Sequence, residues 1–220
     1  MAEKIRRVGT WTWLGLAIAF LGIPAIVTLA RWYGPQSDLL IVARELAIIG
    51  LCAILLLIVT KGEKRPLASL GLRFDRPLRS LGQGTILAIV LFASVLAILA
   101  AFSVLGIKYG VGSKIAPSLG AALLTVVRAG FAEELFYRGF AFTRLEEMTG
   151  NKWIAFAVTL IAFALFHFRG GWPGIFLALV LGGLLTLYFM WKRDLLAAIF
   201  AHFLVDFVPN VLLPALGAID

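Results

Sequence analysis

LGQGTILAIVLFASVLAILAAFSV, residues 81–104, holds no charged side chain in 24 positions. At about 1.5 Å per residue a helix of that length reaches roughly 36 Å, enough to cross a hydrocarbon core about 30 Å thick. Inside such a core every backbone N–H and C=O must be satisfied within the protein, and a helix does this within one segment. Six further stretches read the same way, at about 9–30, 38–60, 119–148, 151–167, 173–190 and 194–213. The first is longer than the apolar region of about 7–15 residues in a signal peptide, and it reads as a retained span.

Composition agrees with this reading. Apolar residues make up 61% of the 220 positions and charged ones 15%, against about 25% charged in a soluble domain. A soluble enzyme, a secreted disulfide scaffold and a disordered tail are excluded. The single cysteine, Cys52, cannot form an internal disulfide. The fold class expected is all-α and polytopic, with about seven transmembrane helices, or eight if one span is broken, in a single transmembrane domain over 1–220.

The formal charge of +8 is read as loop bias rather than as nucleic-acid binding. With the N-terminus inside, inner segments carry Lys4, Arg6, Arg7, Lys61, Lys64, Arg65, Arg73, Arg76, Arg79, Arg144, Lys152, Lys192 and Arg193. Outer segments carry Arg31, Lys108, Lys114 and Arg169. That asymmetry predicts a cytoplasmic N-terminus and an outer C-terminus. Trp11, Trp13, Trp32, Trp153, Trp172 and Trp191 all fall near span ends, where an aromatic belt sits. The inner loop 61–80 alternates basic residues with Leu67, Leu70, Leu72 and Leu78. It is either a segment lying on anionic lipid or a solvated loop that only fixes topology.

Ionisable groups within spans cost at least about 2.5–3.5 kcal/mol each on insertion scales. Leaving aside Asp, Glu, Lys and Arg near the span ends, nine stand out: Arg44 and Glu45; Arg128, Glu133, Glu134 and Arg138; His167; His202 and Asp206. Both histidines of the chain are among them. On a helix Glu134 and Arg138 lie about 40° apart, the acid preceding the base by four, whereas Glu133 points about 140° from Arg138. The spacing suggests a neutralised Glu134–Arg138 pair with Glu133 left for chemistry; the alternative is one buried cluster of all three. His202 and Asp206 repeat the four-residue spacing. Phe163 shares a face with His167 and, taken singly, reads as core.

A buried carboxylate can take a proton from water, and an imidazole can orient that water. A second imidazole with a polar neighbour can donate to the oxyanion formed when water attacks a carbonyl. The set therefore fits direct hydrolysis of an amide, and no serine or cysteine nucleophile motif accompanies it.

At these residues the sequence resembles the CAAX protease and bacteriocin-processing family of intramembrane endopeptidases. Glu133-Glu134-Leu135-Phe136-Tyr137-Arg138 is similar to that family's EExxxR motif, Phe163-Ala164-Leu165-Phe166-His167 to FxxxH, and His202-Phe203-Leu204-Val205-Asp206 to HxxxN or HxxxD. The three occur in order, each in an apolar stretch, and the resemblance runs over about 121–209. It implies a glutamate-dependent protease whose helices four to seven enclose a water-filled cavity. Residues 1–116 would then hold N-terminal helices and the basic loop, and 117–220 the catalytic helices. The resemblance makes Glu133 the general base, His167 its partner on the water, and His202 with Asp206 the oxyanion site. Glu134, Arg138 and Phe163 become supporting residues. Where the better understood members carry asparagine this chain has Asp206, which either stays neutral through burial or orients His202.

The activity expected is cleavage of a membrane-associated peptide or protein, in the plasma (inner) membrane if the chain is prokaryotic, with the lipid bilayer as surroundings and no cofactor. Alternatives are a zinc-dependent version of the same protease, since Glu, His and Asp ligate zinc, a proton-coupled transporter, and a non-catalytic membrane immunity protein. The lack of His-Glu-x-x-His and of an inverted repeat weighs against the first two.

Overall fold

A computed structural model gives the fold, and the structure describes residues 9–34, 37–109 and 118–217. Lys4, Arg6, Arg7 and Lys114 of the charge count lie outside the described residues. In chain order the helices are α1 (Thr10–Trp32), α2 (Asp38–Leu57), α3 (Pro77–Val104), α4 (Leu119–Glu133), α5 (Thr143–Thr149), α6 (Lys152–Phe166), α7 (Gly171–Lys192), α8 (Leu195–Phe207) and the one-turn α9 (Leu213–Ala215). Three wide π-helical stretches interrupt them: Ile58–Gly62 after α2, Glu134–Phe142 between α4 and α5, and Val208–Leu212 after α8.

Local sequence sets the starts. Ser37, Ser118, Asn151 and Asp194 each accept backbone N–H groups of the first turn of α2, α4, α6 and α8, which satisfies donors that the helix cannot. Pro77 opens α3 at the position where its missing N–H costs nothing.

α8 lies between α3 and α4. Glycines permit the approach: a Cβ on Gly84 would stand 2.7 Å from the Ala197 carbonyl oxygen, and one on Gly130 3.0 Å from the Phe203 nitrogen. At the centre runs Glu134–Phe142, all nine residues buried. Its Leu135, Phe136, Tyr137 and Phe140 pack with Ile23 of α1, Ile48 and Cys52 of α2, and Phe163 of α6. Outward faces such as Ile86, Ile89 and Leu96 of α3 stay exposed, as lipid-facing surface does. All six tryptophans are more than half exposed, at helix ends.

The expectation of seven or eight spans is corrected. Five helical segments are long and apolar enough to cross a membrane among the described residues: Thr10–Trp32, Asp38–Gly62, Pro77–Val104, Phe168–Lys192 and Leu195–Ala215. The expected fourth span is not one of them. Arg128, Glu133, Glu134, Arg138 and Arg144 make it too charged; its residues 132–144 are all buried, while Leu119, Leu123 and Val127 of its first half stay exposed. The fifth, α6, has 15 residues, about 22 Å of helix, short of a roughly 30 Å core.

The loop after α2 is pinned rather than splayed. Leu70 and Leu72 are buried, and the Leu195 N–H donates to the Gly71 carbonyl at 2.9 Å. Three ion pairs clamp the same end of the bundle: Arg144 to Glu63, Arg65 to Glu147, and Arg193 to Glu146.

Candidate functional site

The paired acids stand at the junction of α4 and the central π-helical segment. π-helical turns inside α-helices are uncommon and often mark functional positions. From this junction two charge networks diverge.

Glu134 turns toward α7 and α8. Its Oε1 accepts from Arg138 Nη1 at 2.7 Å and from His202 Nδ1 at 2.8 Å. Arg138 is otherwise satisfied, donating from Nε to Thr186 Oγ1 at 3.1 Å and from Nη2 to the Gly182 carbonyl at 3.0 Å. Its guanidinium lies 4.4 Å from the centre of the Phe163 ring. Glu134 Oε2 is buried and has no hydrogen-bond partner among the described residues, a costly state for a carboxylate oxygen. On the other side of the imidazole, His202 Nε2 stands 3.5 Å from Asp206 Oδ2.

Glu133 turns the other way. Its Oε1 accepts from Arg128 Nη1 at 3.2 Å, so it is not left without a charged partner, as the spacing suggested. Arg128 also donates from Nε to Glu45 Oε2 in α2. Glu45 further accepts from Arg44 and, at 3.2 Å, from Thr125. The network holds two acids and two bases, and it joins the N-terminal helices to the first motif. Arg44, Glu45 and Arg128 stood out in the sequence only as charges in apolar stretches; their pairing could not be read there because α2 and α4 are far apart in the chain.

A cavity of about 550 Å³ lies beside the second network. His167, His202, Asp206 and Phe163 line it, with Leu91, Leu177 and Leu181 as apolar wall. His167 Nδ1 donates to the Phe163 carbonyl at 2.8 Å, which fixes the tautomer and leaves Nε2 as the acceptor. The Phe163 ring centre is 4.7 Å from that of His167 and 6.5 Å from that of His202. Phe163 is core, as expected, and its ring neighbours both imidazoles. At one end Arg31, Tyr109 and Arg169 complete the lining. Burial raises the Tyr109 phenol pKa above its ordinary value, and the Asp206 carboxylate adds to that, so Tyr109 stays a hydrogen-bond donor.

The cavity departs from the one expected. Its walls come from α1, α3, α6, α7 and α8, and the α4–α5 run supplies none of the lining residues. The reason is again the central position of that run, which buries it behind α6 and α8. His167, His202 and Asp206 line the cavity, whereas Glu133 and Glu134 do not. Among the described residues no group of three or more His, Cys, Asp or Glu side chains is placed to hold a metal ion; Glu133 and Glu134 are drawn to arginines.

Residues 115–208 match the family described as type II CAAX prenyl endopeptidase, Rce1-like. The match covers a little under half of the chain and contains all three motifs, from Glu133 to Asp206. No curated protein and no solved structure matches. Glu45 lies outside the segment with Rce1-like similarity, although it is hydrogen-bonded to a residue inside it. That description is of an endopeptidase, and the matching segment is set in a bundle with five membrane-length apolar helical segments among the described residues.

Proposed function

We propose that the protein is an intramembrane endopeptidase that hydrolyses a peptide bond of a membrane-associated protein or peptide with water activated by glutamate. The observation that carries this reading is the convergence of both histidines on one apolar-walled cavity, with His202 fixed by the residue next to Glu133. The substrate would lie against the leucine wall with its carbonyl near His202. His167 Nε2 would accept from the attacking water, and Glu133 would take the proton. For that transfer Glu133 must turn from Arg128 toward the cavity, Arg128 remaining paired with Glu45. Before substrate binds, Asp206 would orient the ring through Nε2; the oxyanion would take its place as acceptor of Nε2–H, with Glu134 accepting from Nδ1–H of the imidazolium. Collapse breaks the C–N bond, and the proton held on Glu133 passes to the leaving amine. No acyl-enzyme forms.

A second assignment of the base has one observation in its favour. Glu134 Oε2 is the buried oxygen without a partner, and a water bound there would lie next to His202. Cleavage of a membrane-tethered peptide by purified wild type, Glu133→Ala and Glu134→Gln separates the two. Loss of cleavage in Glu133→Ala with activity kept in folded Glu134→Gln supports the first. Full activity in Glu133→Ala removes Glu133 from the mechanism, and a wild type that cuts no substrate in a broad panel removes the peptidase reading.

A further inference from the structure

A second cavity, of about 330 Å³, opens where the end of α7 meets the starts of α3 and α8. Unlike the first, it is walled by charge. Arg73, Arg76, Arg79 and Lys192 line it together with Arg193, against the carboxylates of Asp75 and Asp194. Local pairings leave the balance positive. Arg193 is neutralised by Glu146, two hydrogen bonds of 2.6 Å each. Asp194 is occupied by Ser80 at 2.7 Å and by the Ala197 N–H at 3.0 Å, as the cap of α8. Asp75 stands 4.0 Å from Arg76, both exposed. Among the described residues no carboxylate forms an ion pair with Arg73, Arg79 or Lys192, and Lys192 Nζ lies 3.4 Å from the centre of the Trp191 ring.

Arg73, Arg76 and Arg79 are exposed to solvent, so an anion can reach the cavity and meet several cations at once. Gln83 accepts from the Tyr188 hydroxyl at 2.8 Å, which sets its amide NH2 as a further donor beside the cations. The surroundings indicate what carries the anion. Phe74 and Leu78 are exposed apolar residues next to the cavity, 64% and 83% accessible, and Trp191 beside Lys192 is 75% accessible. An aromatic at a helix end, exposed apolar side chains and a cation cluster together describe the depth of lipid headgroups. This is also the end of the bundle that carries the excess of basic loops, where the positive-inside bias puts the anionic leaflet.

We infer that this cavity binds a phosphate group, that of an anionic phospholipid whose acyl chains run along Phe74 and Leu78. Arg73 and Arg79 would take the phosphate oxygens through their paired N–H groups, with Lys192 as a point charge. The site is separate from the proposed peptidase cavity and does not depend on that reading.

The test uses the full chain in detergent, with thermal unfolding read as phosphatidylglycerol, phosphatidylcholine or inorganic phosphate is added. Phosphatidylglycerol should raise the midpoint of the wild type and phosphatidylcholine should not. The triple variant Arg73→Gln/Arg79→Gln/Lys192→Gln should need at least about tenfold more phosphatidylglycerol for the same shift. Lys61→Gln/Lys64→Gln/Lys152→Gln removes equal charge from the same end and should behave as the wild type. If the triple variant is poorly folded, Arg79→Gln alone should still show a shift of about threefold. Equal losses in the two triple variants, or equal responses to the two lipids, would overturn the site. A rise produced by inorganic phosphate in the wild type and absent in the cavity variant supports phosphate recognition and assigns its source to solution.

Discussion

Two neighbouring carboxylates lead into opposite halves of the molecule. Glu133 faces α2, through Arg128 and Glu45, and so depends on the N-terminal helices. Glu134 faces α7 and α8, through Arg138 and His202. The first network balances two acids with two arginines. The second has one arginine for Glu134, flanks an imidazole with carboxylates, and leaves one oxygen without a partner. Adjacent residues on a helix point about 100° apart, so a pair of acids in sequence is two sites in space. A balanced network suits holding a group ready; an unbalanced one suits responding to what arrives in the cavity.

The largest expected effect would break the comparison at Glu133. With Glu133 in the proposed role of general base, Glu133→Gln should lower kcat/KM about 10²–10⁴-fold, with a thermal midpoint close to that of the wild type because Arg128 keeps Glu45. Steady-state cleavage beside thermal unfolding checks both halves of that expectation. Next comes Arg138→Met, which leaves Glu134 a buried charge without its cation. Loss of one partner of a buried pair costs about 3–5 kcal/mol, so the unfolding midpoint should fall sharply. Adding Glu134→Gln to that variant should recover much of the loss, since no charge is then stranded. Glu45→Gln is expected to sit between the two networks in kind: about 1–3 kcal/mol of stability, and a fall in kcat with KM nearly constant, because Arg128 then holds Glu133 too firmly for it to turn.

Much of this was legible in the chain, and the limits have physical causes. The pairing of Glu134 with Arg138 is a matter of four-residue spacing and is present at 2.7 Å. The grouping of loops by charge also agrees with the fold: Arg31 and Arg169 line one cavity end, while Arg65, Arg144 and Arg193 share the clamped end. Span counting failed where hydropathy is ambiguous. The 119–148 run looks like a membrane crossing because it is apolar between its charges, yet the half of it from 132 to 144 is buried among α1, α2, α6 and α8. Periodicity within one segment cannot reveal that, nor can it reveal that Arg128 answers to Glu45, 83 positions away. The third motif was readable as a helical face; that its imidazole would reach back to Glu134 was not.

The smallest expected effect compares one hydroxyl in each network. Thr186 accepts from Arg138 Nε at 3.1 Å and donates to the Gly182 carbonyl at 2.7 Å. Thr125 donates to Glu45 Oε1 at 3.2 Å. Valine has nearly the shape of threonine, so each Thr→Val change removes little besides the hydrogen bonds. Thr186→Val strands a charged donor on a side chain that is 1% exposed, and should cost about 1–3 kcal/mol. Thr125→Val leaves Glu45 with both arginines and should cost about 0.5 kcal/mol. Thermal unfolding of the two variants measures how much more tightly the Glu134 network is enclosed than the Glu133 network. If the costs are equal, or if Thr125→Val is the more damaging, the difference between the two networks is one of connectivity alone.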